Sequence, residues 1–174
     1  MIDLIHLPST IHAYIGGSDG PLSIDESFSS YMGVTWGRLG NGIIYSTHEF
    51  LTSYTLTKLT YKFYVYSTAD TPEDYGMDLS AYHRIEAYYG GSWHVIAGTS
   101  YYFQSEHWGS AGNRTFQNLV EDTTYVSIPA CSKVRAISGG GGSVSGGDGK
   151  NSGFARIYEI QAFGIASVKN VQII

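Results

Sequence analysis

The chain has 174 residues, a mass of 19.0 kDa and a formal net charge of −5, which is one domain's worth at about 100–150 residues per domain. Only 14% of residues are charged, against about 25% in ordinary soluble proteins, while Gly (22) and Tyr (15) are abundant. This excludes a charge-driven disordered chain and argues against a helical bundle, whose faces need Ala, Leu, Glu and Lys. The ten Lys and Arg are scattered and leave no footprint for nucleic acid.

Cys131 is the sole cysteine, so no intrachain disulfide can form. The start, Met1-Ile-Asp-Leu-Ile-His-Leu-Pro8, has no basic region and no unbroken apolar run, and no signal peptide is expected. No apolar stretch approaches the ~20 residues of a membrane helix, so no membrane insertion is expected.

In chain order, Ile11, Ala13 and Ile15 alternate with His12 and Tyr14 and predict a strand. Residues 22–42 read as a long loop with one short strand at most. Leu59, Tyr61, Phe63 and Val65 alternate with Thr60, Lys62, Tyr64 and Tyr66, a half-buried strand with aromatics on both faces. Residues 69–76 predict a loop. Tyr82–Tyr89 and Trp93–Ala97 predict a hairpin closed by Gly90-Gly91, which supply the φ > 0 positions of a two-residue turn. Residues 105–118 are polar and loop-like. Lys133–Ile137 predicts a strand with Val134 and Ala136 inward and Arg135 outward. Residues 138–149, almost all Gly and Ser, read as a linker-like loop. Ala155–Phe163 predicts a strand with Ile157, Ile160 and Phe163 on one face and Arg156 and Glu159 on the other. Many short strands between turn signals predict an all-β sandwich or jelly roll.

Several stretches carry a resemblance. They are Tyr54–Tyr64, the hairpin Tyr82–Ile96 with its Gly-Ser-Trp93, Lys133–Ile137, and the closing Ala155-Arg-Ile-Tyr-Glu-Ile-Gln-Ala-Phe-Gly164. Together they resemble the discoidin or F5/8 type C family, a galactose-binding-like jelly roll that includes family 32 carbohydrate-binding modules. The resemblance implies a β-sandwich of about eight antiparallel strands over 22–164, flanked by an N-terminal strand or arm (1–21) and an apolar C-terminal tail (165–174). It implies ligand binding at loops on one end of the sandwich. Where the family shapes a structural Ca²⁺ site, this chain has Asp25-Glu-Ser-Phe-Ser-Ser-Tyr31, lacking the family's Gly and with Tyr for its Trp. No cofactor and no metal are therefore expected.

Exposed aromatics can stack on the apolar faces of sugar rings. Trp108, in a polar stretch with His107, is the leading candidate for that role, with Arg114 as a hydrogen-bond donor and Trp36 as a second platform. Trp93 is expected to pack on the sheet, and Cys131 to be a small buried side chain. Asp70, Glu73, Asp74 and Asp78 read as a solvated loop. Gly16-Gly-Ser-Asp-Gly20 matches a nucleophile elbow in letters but is followed by Pro21 rather than a helix. The six His show no zinc spacing, although His6 and His12 could lie together.

The tail carries Ile165, Val168, Val171 and Ile173, a β-prone apolar run that invites pairing with a neighbour. With no catalytic constellation in view, the sequence is read as a non-enzyme. The expectation is a structural or decoration protein of a virion, from a bacteriophage, made in the host cytoplasm. Its partners would be other virion subunits or its own copies, and its head would bind surface glycans. The alternative is a stand-alone carbohydrate-binding module or lectin.

Overall fold

The computed structural model describes residues 1–16, 29–37, 41–71, 77–105, 112–144 and 150–166. These form eight strands: β1 (Ile2–Asp3), β2 (Ile11–Ile15), β3 (Met32–Gly37), β4 (Asn41–Thr71), β5 (Met77–Tyr89), β6 (Ser92–Ser105), β7 (Gly112–Val144) and β8 (Lys150–Ala166). Every pairing is antiparallel. The main path runs β1-β8-β4-β7-β5-β6, with β2 on β4 and β3 on β8.

One hydrogen-bonded sheet becomes two layers because β4 and β7 turn corners together. Asn41–Glu49 of β4 pairs with Lys133–Gly141 of β7, and Leu59–Thr71 pairs with Gly112–Thr124. Register shifts interrupt the ladder between those halves, at Glu49, Tyr54, Leu56 and Lys58. Such bulges bend a strand and raise its twist. Ala130, in the β7 corner, adopts φ 54°. The first layer thus holds β1, β3, β8, the second half of β4 and the first half of β7. The second holds β2, the other halves of β4 and β7, and the β5–β6 hairpin.

The core lies between the layers. Leu56, Leu59, Phe63 and Val65 are fully buried on β4, facing Ile85 and Ala87 of β5 and Val134 and Ala136 of β7. The Phe63 ring stacks on His83 with centroids 5.3 Å apart, which ties one layer to the other. The expected alternation is present residue for residue from Leu59 to Tyr66 in β4 and from Lys133 to Ala136 in β7, after which Ile137 is buried as well. The hairpin turn is also as expected: Tyr89 pairs with Ser92, and Gly90 and Gly91 have φ 59° and 85°.

Three expectations are corrected. Residues 138–144 are strand rather than linker: Gly139 pairs with Ile43 on one side and Tyr82 on the other. A Cβ at Gly139 would lie 2.6 Å from the Gly42 carbonyl oxygen, so the close approach of backbones demands glycine there. Of the loops expected at 69–76 and 105–118, residues 69–71, 105 and 112–118 are strand, because β4 runs to Thr71, β6 to Ser105 and β7 starts at Gly112; the rest lie outside the described residues. In β8 the inward face changes parity. Ile157 pairs with Phe63 but Glu159 with Lys62, leaving Tyr158 without a β4 partner. After that bulge Glu159, Ile160 and Ala162 are buried. Phe163 turns outward, and the Lys58 ammonium sits 4.0 Å from its ring centroid. At the end of the closing motif, a Cβ on Gly164 would meet Leu4 Cδ1 and the Thr55 carbonyl oxygen, each at 2.8 Å.

Candidate functional site

The predicted glycan residues fall into two groups. His107 and Trp108 lie outside the described residues. Trp36 and Arg114 stand at the same end of the first layer: one row of the sheet reads Trp36–Gly153–Ser67–Phe116 across β3, β8, β4 and β7, and Arg114 is opposite Ala69 two positions on. Three strand spacings separate β3 from β7, about 14 Å. Of the assembly residues, Ile165 ends up at the close of β8 opposite Thr55 and is 51% exposed. Val168, Val171 and Ile173 lie outside the described residues, as do Gly17–Gly20, Glu73 and Asp74. Asp70 and Asp78 are strand positions in β4 and β5.

The next rows of the same sheet carry a concentration of aromatic side chains that sequence reasoning missed. The outer face of the first layer presents Tyr64 and Tyr66 from β4 and Phe154, Arg156 and Tyr158 from β8. Tyr31 stands just before β3. Register aligns them: Arg156 lies between Gly33 and Tyr64, and Phe154 between Thr35 and Tyr66. Phe154 stacks on Tyr66 at 5.2 Å between centroids and leans on Tyr64 at 5.5 Å; Tyr31 meets Tyr158 edge-on at 5.4 Å. These offset and edge contacts are the geometry that ring quadrupoles favour.

Arg156 is the centre of the group. Its guanidinium carbon is 4.1 Å from the Tyr31 centroid, 4.3 Å from Phe154 and 6.0 Å from Tyr64. Nη1 donates to the Tyr158 hydroxyl at 3.1 Å, a contact made possible by the bulge that releases Tyr158 from β4. No carboxylate among the described residues pairs with it. Its neighbour Lys62, by contrast, bridges Glu121 at 3.3 Å. Tyr31, Gly33, Val34, Thr35, Phe154, Ala155 and Arg156 line a hollow of about 200 Å³. Gly33 keeps it open: a Cβ there would sit 3.0 Å from the Tyr31 ring. The walls are largely apolar, and the polar side-chain groups are the Tyr31 and Thr35 hydroxyls and the Arg156 cation.

A second cluster lies on the other layer. His12 Nδ1 is 2.9 Å from His48 Nδ1, and His48 Nε2 is 2.9 Å from Ser46 Oγ. Burial, with added repulsion from His12 and His6, pushes the His48 pKa down to about 3, and burial lowers His83 to about 4. His12 is lowered as well, by burial first and His6 second. Both buried imidazoles are therefore neutral near pH 7, when each ring has one donor and one acceptor nitrogen. Cys131 is buried as expected. Its thiol donates to the Lys133 carbonyl at 3.3 Å, and burial pushes its pKa up to about 11, so it is not a thiolate at neutral pH. Trp93 packs on the sheet as expected, edge-on to Tyr88 at 5.4 Å with the Arg135 guanidinium 4.2 Å from its centroid.

No protein-family model matches the sequence, and no curated protein does. Among solved structures, the chain is similar to the family 32 carbohydrate-binding module of C. perfringens NanJ in complex with galactose. Identity is 14%, over 92% of this chain and 97% of that one, with a TM-score of 0.41. It is also similar to TmCBM61 in complex with β-1,4-galactotriose (11% identity, 94% and 99% covered, TM-score 0.29). A third likeness is to the enzymatically active domain of tailspike protein 4 of bacteriophage CBA120, with 11% identity, 94% of this chain, 20% of that one and a TM-score of 0.29. The first two are carbohydrate-binding modules, the class named by the sequence resemblance.

One signal could have led to the hollow. Phe154, Arg156 and Tyr158 sit at alternating positions inside the closing motif, on the face opposite Ala155 and Ile157. Three outward residues of that kind, beside outward Tyr64 and Tyr66, mark a sheet face prepared for contact.

Proposed function

We propose that this chain is a non-catalytic glycan-binding β-sandwich whose hollow around Arg156 receives a sugar ring. The observation that carries the reading is the convergence of aromatic rings from β4, β8 and the start of β3 on one cation that no carboxylate partners among the described residues. Aromatic side chains with polar tips suit ligands that are apolar on one face and hydroxylated at the edge. The hollow is smaller than the roughly 300–1,000 Å³ of drug-sized pockets, which suits one ring of a longer saccharide. A protonated Cys131 supports a binding role over a nucleophilic one.

A glycan array probed with the wild-type chain and with Tyr31→Ala tests this. Tyr31 is 37% exposed and lines the hollow, so removing its ring should leave the fold intact. We expect saccharide binding in the millimolar-to-micromolar range, weakened at least about tenfold in the variant, or about 1.4 kcal/mol. Equal binding by both proteins would move the site elsewhere.

The setting we propose is a structural or decoration subunit of a bacteriophage particle, with a stand-alone lectin as the alternative. Apolar surface supports a docked state. On edge strand β2, Ile11 and Ile15 are 66% and 63% exposed, while Tyr14 packs toward the core; Leu51 is 77% exposed. Isolated exposed aliphatics are ordinary, but several along one edge favour a partner. Light scattering should show an oligomer for the full chain and a smaller species for a version ending at Gly164 or for Ile11→Lys with Ile15→Lys. Monomers throughout would favour the lectin.

A further inference from the structure

We infer that the saccharide taken by this hollow is acidic, with the carboxylate of a sugar acid held on Arg156. The inference rests on the reading of the hollow as a sugar site and adds the chemical class of the ligand. The guanidinium carbon lies 4.1 Å from the Tyr31 ring centroid and 4.3 Å from that of Phe154, so two rings crowd it at cation–π distance. What it can still offer is its N–H edge. Guanidinium has five N–H donors, and among the described residues the one that is bonded to a side chain is Nη1, to the Tyr158 hydroxyl. The other cations on the described surface are engaged differently. Lys133 is bonded to Glu49 at 2.9 Å, Lys62 to Glu121 at 3.3 Å, and Arg84 and Arg135 both to Glu86, at 2.8 and 2.5 Å; Lys58 sits over the Phe163 ring, away from the hollow. Among the described residues Arg156 thus has no carboxylate partner, in a chain of net charge −5 and beside a hollow with aromatic walls.

Such a cation meets a neutral sugar hydroxyl with an ordinary hydrogen bond. It meets a carboxylate with two parallel, charge-assisted ones, because the planar fork matches the planar anion. The Tyr31 and Phe154 rings and the bond to Tyr158 restrict the Arg156 side chain, which lowers the ordering cost of the ionic contact.

Calorimetric titration of the full chain separates the two layers of the claim. Two matched probe pairs are used: trigalacturonate against its fully methyl-esterified form, and 3′-sialyllactose against lactose. The first pair changes the charge and keeps every ring; the second removes the whole sialic acid residue and keeps the lactose. We expect the acidic member of at least one pair to bind at least tenfold more tightly than its neutral partner. That preference should fall below about threefold in Arg156→Gln, which keeps a planar hydrogen-bonding group, and survive in part in Arg156→Lys. Far-UV circular dichroism and the melting temperature verify that each variant is folded. If acidic and neutral members bind alike, the acidic specificity is wrong and the sugar site stands. If a preference for the acid persists in Arg156→Gln, the carboxylate is held elsewhere and the assignment fails. If none of the four probes binds, both the specificity and the sugar site are overturned.

Discussion

Acidification from pH 7.5 to 5.0 should remove about 4 kcal/mol of stability through two buried histidines. His48 and His83 are fully buried, and their native pKa values lie near 3 and 4. In the unfolded chain each would titrate near its ordinary value of about 6.5. The native pKa is the lower one, so below pH 6.5 the unfolded chain binds protons that the native chain refuses. The equilibrium then moves toward unfolding by up to about 1.4 kcal/mol per pH unit for each histidine. Above pH 6.5 neither state is protonated and the contribution vanishes. The loss begins near pH 6.5 and levels only below the native values. Burial is the first reason a native proton is unwelcome at His48, and repulsion from His12, 2.9 Å away, and from His6 adds to it. Against a total of 5–15 kcal/mol for a typical domain, the effect is large. Urea unfolding at pH 7.5, 6.0 and 5.0 reads it directly, in a range where most carboxylates stay ionised. His48→Asn should roughly halve the slope. A wild-type stability that is flat across this range would show that these rings accept protons in the folded state.

Phe63→Ala should cost about 3–5 kcal/mol, the range for truncating a buried aromatic. Phe63 is fully buried at the middle of the second half of β4, stacked on His83 across the two layers and tilted against Tyr61 at 5.6 Å. Packed β-sandwich layers cannot close over a missing ring without moving their strands, so the cavity persists and its lining loses contacts. Denaturant unfolding at pH 7.5 should show a lower midpoint with an unchanged slope. A cost under 1 kcal/mol would mean the two layers are not held together at this point.

The contrast between β4 and β8 shows what was legible in the sequence. Leu59 to Tyr66 alternates without interruption, and burial follows it position by position. In β8 a single bulge at Tyr158 reverses the face, and nothing local announces it: Ile157 pairs with inward Phe63, Glu159 pairs with outward Lys62 and is buried all the same, and Ile160 is the next residue to face in, opposite Tyr61. The glycine run at 139–142 was opaque for another reason. Glycine carries no side chain to alternate, and the case for a strand comes entirely from the backbones of Gly42, Ile43 and Tyr82 beside it. The hollow combines both difficulties. Arg156 and Phe154 come from the closing motif, but Tyr31 lies far away in sequence and arrives only through the pairing of β3 with β8. Trp36 was nominated on residue type, and the pairing sets it in the row next to that of Phe154. Residue type thus leads to the row beside the hollow; the convergence of residues on Arg156 is not legible in the sequence.

The measurement that bears most directly on the glycan site is a titration of the ¹⁵N-labelled chain, followed by amide shifts, with the tightest saccharide from the array. The hollow predicts the largest changes at residues 31–35 and 154–158, with Arg156 side-chain signals moving alongside them. Changes centred instead on residues 104–109, around His107 and Trp108, with 31–35 and 154–158 still, would contradict the Arg156 site.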